Sequence, residues 1–159
     1  MKPKAFLVNV GVDEYDGQVV SDLSFASGDA RLIQSALRSR LVKRGYQVIE
    51  TPLTSPPREG ESLATKKNIE KTIERVRDAS GPDDLVLLSI SSHGYTDSEG
   101  AFYVFPQNLG RESEGLDQEV LARCITSEDL SAWLRGVDAQ ELVLIMDTCH
   151  AAASVEGAG

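Results

Sequence analysis

Cysteine and histidine are both scarce in this sequence, two of each, at Cys124, Cys149, His93 and His150. Two cysteines do not make a disulfide framework. Apolar runs are short, none approaching the ~20 residues of a membrane span, so no membrane partner is expected. Positive charge is outnumbered: 16 Lys and Arg stand against 25 Asp and Glu, a net charge of −9. That balance argues against nucleic acid or an anionic membrane as the main partner. It mildly favours a basic peptide as ligand, although a solvated acidic surface is the commoner meaning. A glycine-rich phosphate loop is missing after the first apolar run, where Asp13-Glu14-Tyr15-Asp16 would repel phosphate. A flavodoxin-like small-molecule binder is disfavoured on that ground. Internal repeats and low-complexity tracts are also lacking. The start, Met1 to Lys4 followed by the apolar run Ala5 to Val12, loosely mimics a signal peptide. The run is short, contains Asn9, and stops at Asp13 without a small-residue cleavage site. A cytoplasmic protein is expected.

What is present fits one soluble globular domain: 159 residues, 41% hydrophobic and 26% charged. Ala5 to Val12 reads as a strand buried on both faces. Ala30, Ile33, Ala36, Leu37 and Leu41 are spaced as one face of a helix that ends near Gly45. Tyr46 to Leu53 reads as a second strand, and the proline-bearing stretch Thr51 to Ala64 as a surface loop. Thr65 caps a helix with the apolar stripe Ile69, Ile73 and Val76. Pro82-Asp83-Asp84 turns into a buried strand over Leu85 to Ile90. Ala101 to Phe105 is expected as an edge strand or hairpin arm, and Gln107 to Arg123 as a mobile loop. Thr126-Ser127-Glu128-Asp129 has capping-box character and opens a helix carrying Leu130, Trp133 and Leu134. Leu142 to Met146 is the fourth core strand.

Strands alternating with helices imply an α/β fold, a mostly parallel sheet with helices on both faces. Ligands in such sheets bind beyond the carboxyl ends of the strands. Ser91-Ser92-His93-Gly94 and Asp147-Thr148-Cys149-His150 are expected there, each ending its own strand. The last strand is expected to be left as an exposed apolar edge. A second polypeptide, or a downstream segment, would complete the sheet.

A nucleophilic cysteine needs a base. His150 follows Cys149 directly, and neighbouring side chains in extended backbone point to opposite sides. His93, from a different strand, is better placed to face the thiol and hold it as thiolate. The N–H groups of Gly94 and Cys149 are candidates for an oxyanion hole. The blander reading of each residue is strong: a lone Cys is more often a small buried hydrophobe, and a lone His a surface or capping residue.

Ser89-Ile90-Ser91-Ser92-His93-Gly94, with Asp147-Thr148-Cys149-His150 following, resembles the caspase/metacaspase clan. The 56 residues from His93 to Cys149 agree with the roughly 50 between the caspase pair. Gly11 to Tyr15, Ser27-Gly28-Asp29-Ala30, Asp83 to Leu87 and Glu128-Asp129-Leu130 extend the likeness over nearly the whole chain. Asp-Thr-Cys-His resembles metacaspases and their prokaryotic relatives more than true caspases, whose pattern is Gln-Ala-Cys. The resemblance implies a caspase-like three-layer sandwich. Residues 1–159 would be the large-subunit part of a catalytic domain, completed by a small subunit. It also implies a Cys149–His93 dyad and an S1 pocket lined by Asp29, Ser91 and Asp147. Two carboxylates there favour guanidinium or ammonium, hence cleavage after Arg or Lys. Asp22 to Gly28 contains no Arg of the kind caspases use to bind an aspartate. Asp29 reads equally well as a helix N-cap, while Asp147, expected at a buried strand end, needs a partner.

Metacaspases usually have Gly before the catalytic His and Ser-Gly after Cys-His, where this chain has Ser92 and Ala151-Ala152. Cys124 reads as a buried spacer. Many metacaspases are activated by calcium through an acidic cluster, and Glu128, Asp129 and Glu156 fall in roughly the matching regions. First-turn acids favoured by the helix dipole account better for the first two, so no cofactor is required and Ca2+ stands only as an activator. The resemblance implies a cysteine endopeptidase in a regulated cell-death, stress or defence pathway. The alternative is a catalytically silent caspase-like scaffold that binds a partner protein.

Overall fold

The chain's structure is a computed structural model that describes residues 1–111 and 115–150, with Cys149 and His150 as backbone. Four strands form a parallel sheet: β1 (Lys4–Val12), β2 (Gln47–Ser55), β4 (Leu85–Thr96) and β7 (Glu141–His150). β1 lies between β2 and β4, and β7 pairs with the other flank of β4. The short β3 (Ser62–Leu63) adds to β2 in parallel. β5 (Phe102–Val104) folds back antiparallel on the end of β4, and β6 (Ile125–Thr126) pairs with β5.

Alternation along β1 and β4 sorts the core into two layers. Phe6, Val8, Val10, Val86, Leu88 and Ile90 face α2 (Lys66–Ala79) and α4 (Ser127–Leu134), meeting Ile69, Ile73, Leu130 and Trp133. Ala5, Leu7 and Leu87 face α1 (Ala26–Lys43) and pack on Leu37 and Leu41. Helices on both faces of a mostly parallel sheet make the three layers that the alternating pattern implies. A smaller helix, α3 (Gln118–Arg123), buries Val120 in the first of these clusters.

Helix ends follow local chemistry. Thr65 Oγ1 accepts from Asn68 N at 3.1 Å and caps α2. Thr126 and Asp129 form a reciprocal capping box on α4. α1 ends at Gly45, whose φ of 92° suits a residue without a Cβ. The start of α1 has no side-chain cap of its own. Asp13, from the β1–α1 connection, takes that role, accepting from Ala26 N at 2.7 Å and from the Ser27 hydroxyl. Asp29 is therefore not the N-cap; it is exposed in the first turn.

Four expectations need correction. β4 and β7 run past Ile90 and Met146, so His93, Gly94, Asp147 and Cys149 lie within strands. The ladder continues because β7 pairs with β4 as far as Gly94, and β5 flanks β4 beyond the end of β1. The stretch Gln107 to Arg123 is not simply loop, since it holds α3 and buries Leu109. Asp147 is exposed rather than buried, because β7 is paired on one flank only among the described residues. Ala36 is exposed and does not belong to the buried face of α1.

Candidate active site

β1 stops pairing with β4 at Gly11 and Ser91, two residues before His93. His93 thus sits where the sheet opens, in the carboxyl-end region that α/β folds use for ligands. Its residue is only 7% exposed. Nε2 lies 2.8 Å from the Ser21 carbonyl oxygen. A carbonyl can only accept, so Nε2 carries a proton, and in the neutral form of the ring Nδ1 is the acceptor. Nδ1 is buried and has no hydrogen-bond partner among the described residues. The register partner of His93 on β7 is Cys149.

One register step earlier, Ser91 pairs with Asp147. Ser91 is buried and Asp147 exposed. α1 begins directly over this part of the sheet: a Cβ on Gly11, the β1 partner of Ser91, would meet Ala26 O at 2.5 Å. Asp29 follows one turn later on the exposed side of α1. Neither the Asp29 nor the Asp147 carboxylate is hydrogen-bonded or ion-paired among the described residues. The structure pairs His93 with Cys149 and Ser91 with Asp147 by register, and sets the start of α1 over the Gly11 rung.

Gly94 is flanked on both sides, by Val104 of β5 and by His150 of β7. A Cβ there would come within 3.0 Å of Thr148 Cβ and 3.2 Å of Phe102 Cζ. Packing alone therefore calls for glycine at this position, independently of any oxyanion role.

Of the acids considered for calcium, Glu128 and Asp129 fall among the described residues. Asp129 accepts from Thr126 N and pairs with Lys66 Nζ at 3.1 Å. These contacts hold its carboxyl below the usual range against the opposing effect of burial. Glu128 lies in the first turn of the same helix, and Glu156 lies outside the described residues. Among the described residues no three His, Cys, Asp or Glu side chains cluster. Calcium wants six to eight oxygens, and the donor set described here does not fit it.

Cys124 is fully buried, with Sγ 3.4 Å from Val120 O. Burial pushes its thiol up to about 12, so it stays protonated at neutral pH and is a spacer rather than a nucleophile. One cavity, of about 480 Å³, lies at the amino ends of the strands between Lys4, Tyr46 and Asp84.

Two groups at the site escape a reading by residue type. The Ser21 carbonyl is a backbone acceptor, which carries no side-chain signature. The Tyr15 ring packs on the His93 imidazole at 5.6 Å between centroids, and its hydroxyl accepts from His93 N at 3.0 Å. Its signal was present in the Gly11 to Tyr15 segment, but only as part of a likeness.

The architecture is that of a three-layer α/β protein with its candidate site at the carboxyl-end region of the sheet. The family model of the peptidase C14 caspase domain matches residues 4–158, and the chain belongs to that family, one of cysteine peptidases. No curated protein matches the chain. Among solved structures, protein GSU0716 from Geobacter sulfurreducens is similar with a TM-score of 0.63 at 20% identity. The match covers 93% of this chain and 51% of that one, so the chain spans about half the length of that relative. At that identity the likeness bears on the fold alone.

Proposed function

We propose that this chain carries the catalytic dyad of a cysteine endopeptidase that cleaves after Arg or Lys. The observation that carries the reading is the His93 ring, buried, with Nε2 on the Ser21 carbonyl and Nδ1 unpaired, at the register position of Cys149. In this reading Nδ1 takes the Cys149 proton, and the thiolate attacks the scissile carbonyl. The imidazolium then protonates the leaving amine, and water hydrolyses the acyl-enzyme. Gly94 and Cys149 N–H groups supply the oxyanion hole, which requires the β4–β7 ladder to open at its last rung. Membership of a cysteine peptidase family and the inertness of Cys124 support Cys149 as nucleophile.

The P1 preference rests on Asp29, Asp147 and Ser91. Two carboxylates without side-chain partners among the described residues, one of them the register partner of the buried Ser91, suit a guanidinium or ammonium group. A small-subunit chain or downstream segment would lie along β7, and the enzyme would act in the cytoplasm in a regulated cell-death, stress or defence pathway. No helix among the described residues is long and apolar enough to cross a membrane.

The test is hydrolysis of paired fluorogenic peptides with Arg or Asp at P1 by the full-length protein, with Cys149→Ala as blank. Arg cleavage that disappears in the variant is expected. Asp cleavage would keep the protease and overturn the acidic pocket. Cleavage of neither would favour the silent scaffold. Excess chelator is expected to change nothing, because Asp129 is committed to its cap and to Lys66; a loss restored by Ca2+ would bring the acidic cluster back.

A further inference from the structure

The main chain of His93 poses an accounting problem. Its N–H and C=O lie beyond the last β1 rung, so the parallel ladder cannot satisfy them on that flank, and buried backbone groups must find partners. Phe105 N donates to His93 O at 3.0 Å. His93 N donates to Tyr15 Oη at 3.0 Å, where a strand would otherwise stand. Tyr15 Oη lies 2.7 Å from Ser92 Oγ, and Ser92 Oγ donates to Phe105 O at 2.5 Å.

The direction of this chain follows from its acceptor end. Phe105 O can only accept, so the single Ser92 proton goes there, and Ser92 Oγ at 2.7 Å is a closer acceptor for the Tyr15 hydroxyl than the Val12 carbonyl at 3.4 Å. Tyr15 Oη accepts from His93 N in the same arrangement. Three donors run in one sense from His93 N through Tyr15 and Ser92 to Phe105. The Phe105 N–H returns to His93 O, which closes a ring around the His93 peptide. The Tyr15 ring also packs on the imidazole, and Ser21, whose carbonyl holds Nε2, lies in the same β1–α1 connection.

We propose that Tyr15 and Ser92 act together as positioning residues for His93, holding its peptide and ring so that Nε2 stays on Ser21 and Nδ1 stays open to accept a proton. This rests on the reading of His93 as the base. The two hydroxyls are a coupled pair, each of use only with the other.

The experiment is a double-mutant cycle of Tyr15→Phe and Ser92→Gly in the full-length protein. Its readouts are kcat and KM on the Arg peptide, thermal midpoint, and the His93 tautomer from imidazole ¹⁵N shifts, with His150→Gln to assign the spectrum. Each single variant is expected to lower kcat about tenfold, the size of one buried neutral hydrogen bond felt in the transition state. KM should stay within about twofold. The double variant should also fall about tenfold rather than a hundredfold, because coupled residues are not additive. The tautomer should pass from fixed Nε2–H to a mixture in both single variants. Should Ser92→Gly not fold, Ser92→Ala reads the same hydroxyl. Unchanged kcat with a fixed tautomer, or independent multiplicative losses, overturns the proposal. A wild-type protein that cleaves no peptide, yet shows a fixed tautomer that both variants loosen, sinks the protease reading and keeps the clamp.

Discussion

Glu61 gathers donors from three directions. Arg31 of α1 bonds it bidentately at 2.8 and 2.9 Å, the Thr54 hydroxyl of β2 at 2.9 Å, and Arg58 N at 2.9 Å. Arg31 foremost, helped by Arg58 N and Thr54, brings its carboxyl from an ordinary 4.5 to about 2 against the opposing effect of burial. The folded state therefore binds this proton more weakly than the unfolded chain. The stabilisation is full above pH 4.5 and is lost as the pH falls towards 2. At 1.36 kcal/mol per unit the shift is worth at most roughly 3 to 4 kcal/mol. Glu61→Gln should cost up to that amount in urea unfolding at pH 7, and the gap should close between pH 4.5 and 2. A gap that persists at pH 2 would mean that packing, not charge, sets the effect. Nothing in the sequence marks Glu61, because its side-chain partners Arg31 and Thr54 come from α1 and β2 and meet only through the fold. His93 and Cys149 stand out in the sequence because their residue types are rare and their spacing carries a family likeness, and the fold makes them register partners. Asp147 was misread as buried because a strand's apolar character does not reveal whether both its flanks are paired.

At the scale of elements, α1 decides how the site is roofed. Its first turn rests on Gly11, where a Cβ would lie 2.5 Å from Ala26 O and 2.6 Å from Ser27 Cα, both backbone atoms. Gly11→Ala must push the helix start off the sheet, at a cost of about 3 kcal/mol. For a domain of this size that is a fall of roughly 10 °C in thermal midpoint. Gly28, in the same helix, has nothing within 4 Å of its would-be Cβ. Gly28→Ala should leave the midpoint unchanged or raise it slightly. Equal melting of the two variants would show that α1 adjusts freely and does not fix the site. The helices themselves were readable from caps and apolar spacing: Thr65, the Thr126–Asp129 box and Gly45 all act where the sequence places them. Strand ends were not, since β4 and β7 continue through polar residues whose pairing comes from neighbouring strands. α3 escaped notice because six residues with Val120 as their one buried anchor carry no periodicity to detect.

For the whole molecule, the asymmetry of the sheet matters most. β7 is bonded to β4 on one flank, and no strand covers the other among the described residues. Leu142 and Leu144 remain 44% and 43% exposed, and Ile145, on the opposite face, 37%. A long apolar edge of this kind is a template for pairing with another chain. Residues 1–159 expressed alone should therefore self-associate at roughly 100 µM, a range in which open edges aggregate. Leu144→Lys should suppress that association, since a lysine on an edge strand opposes further pairing. Its own fold should be little affected, because the replaced side chain is nearly half exposed. Sedimentation velocity over a concentration series reads both outcomes. A wild-type chain that stays monomeric throughout would mean that the edge is already protected. The expectation of a strand-donating partner along β7 would then lose its physical basis. Association that Leu144→Lys does not reduce would place the contact on another surface, such as the exposed Phe25 and Leu32 of the α1 side.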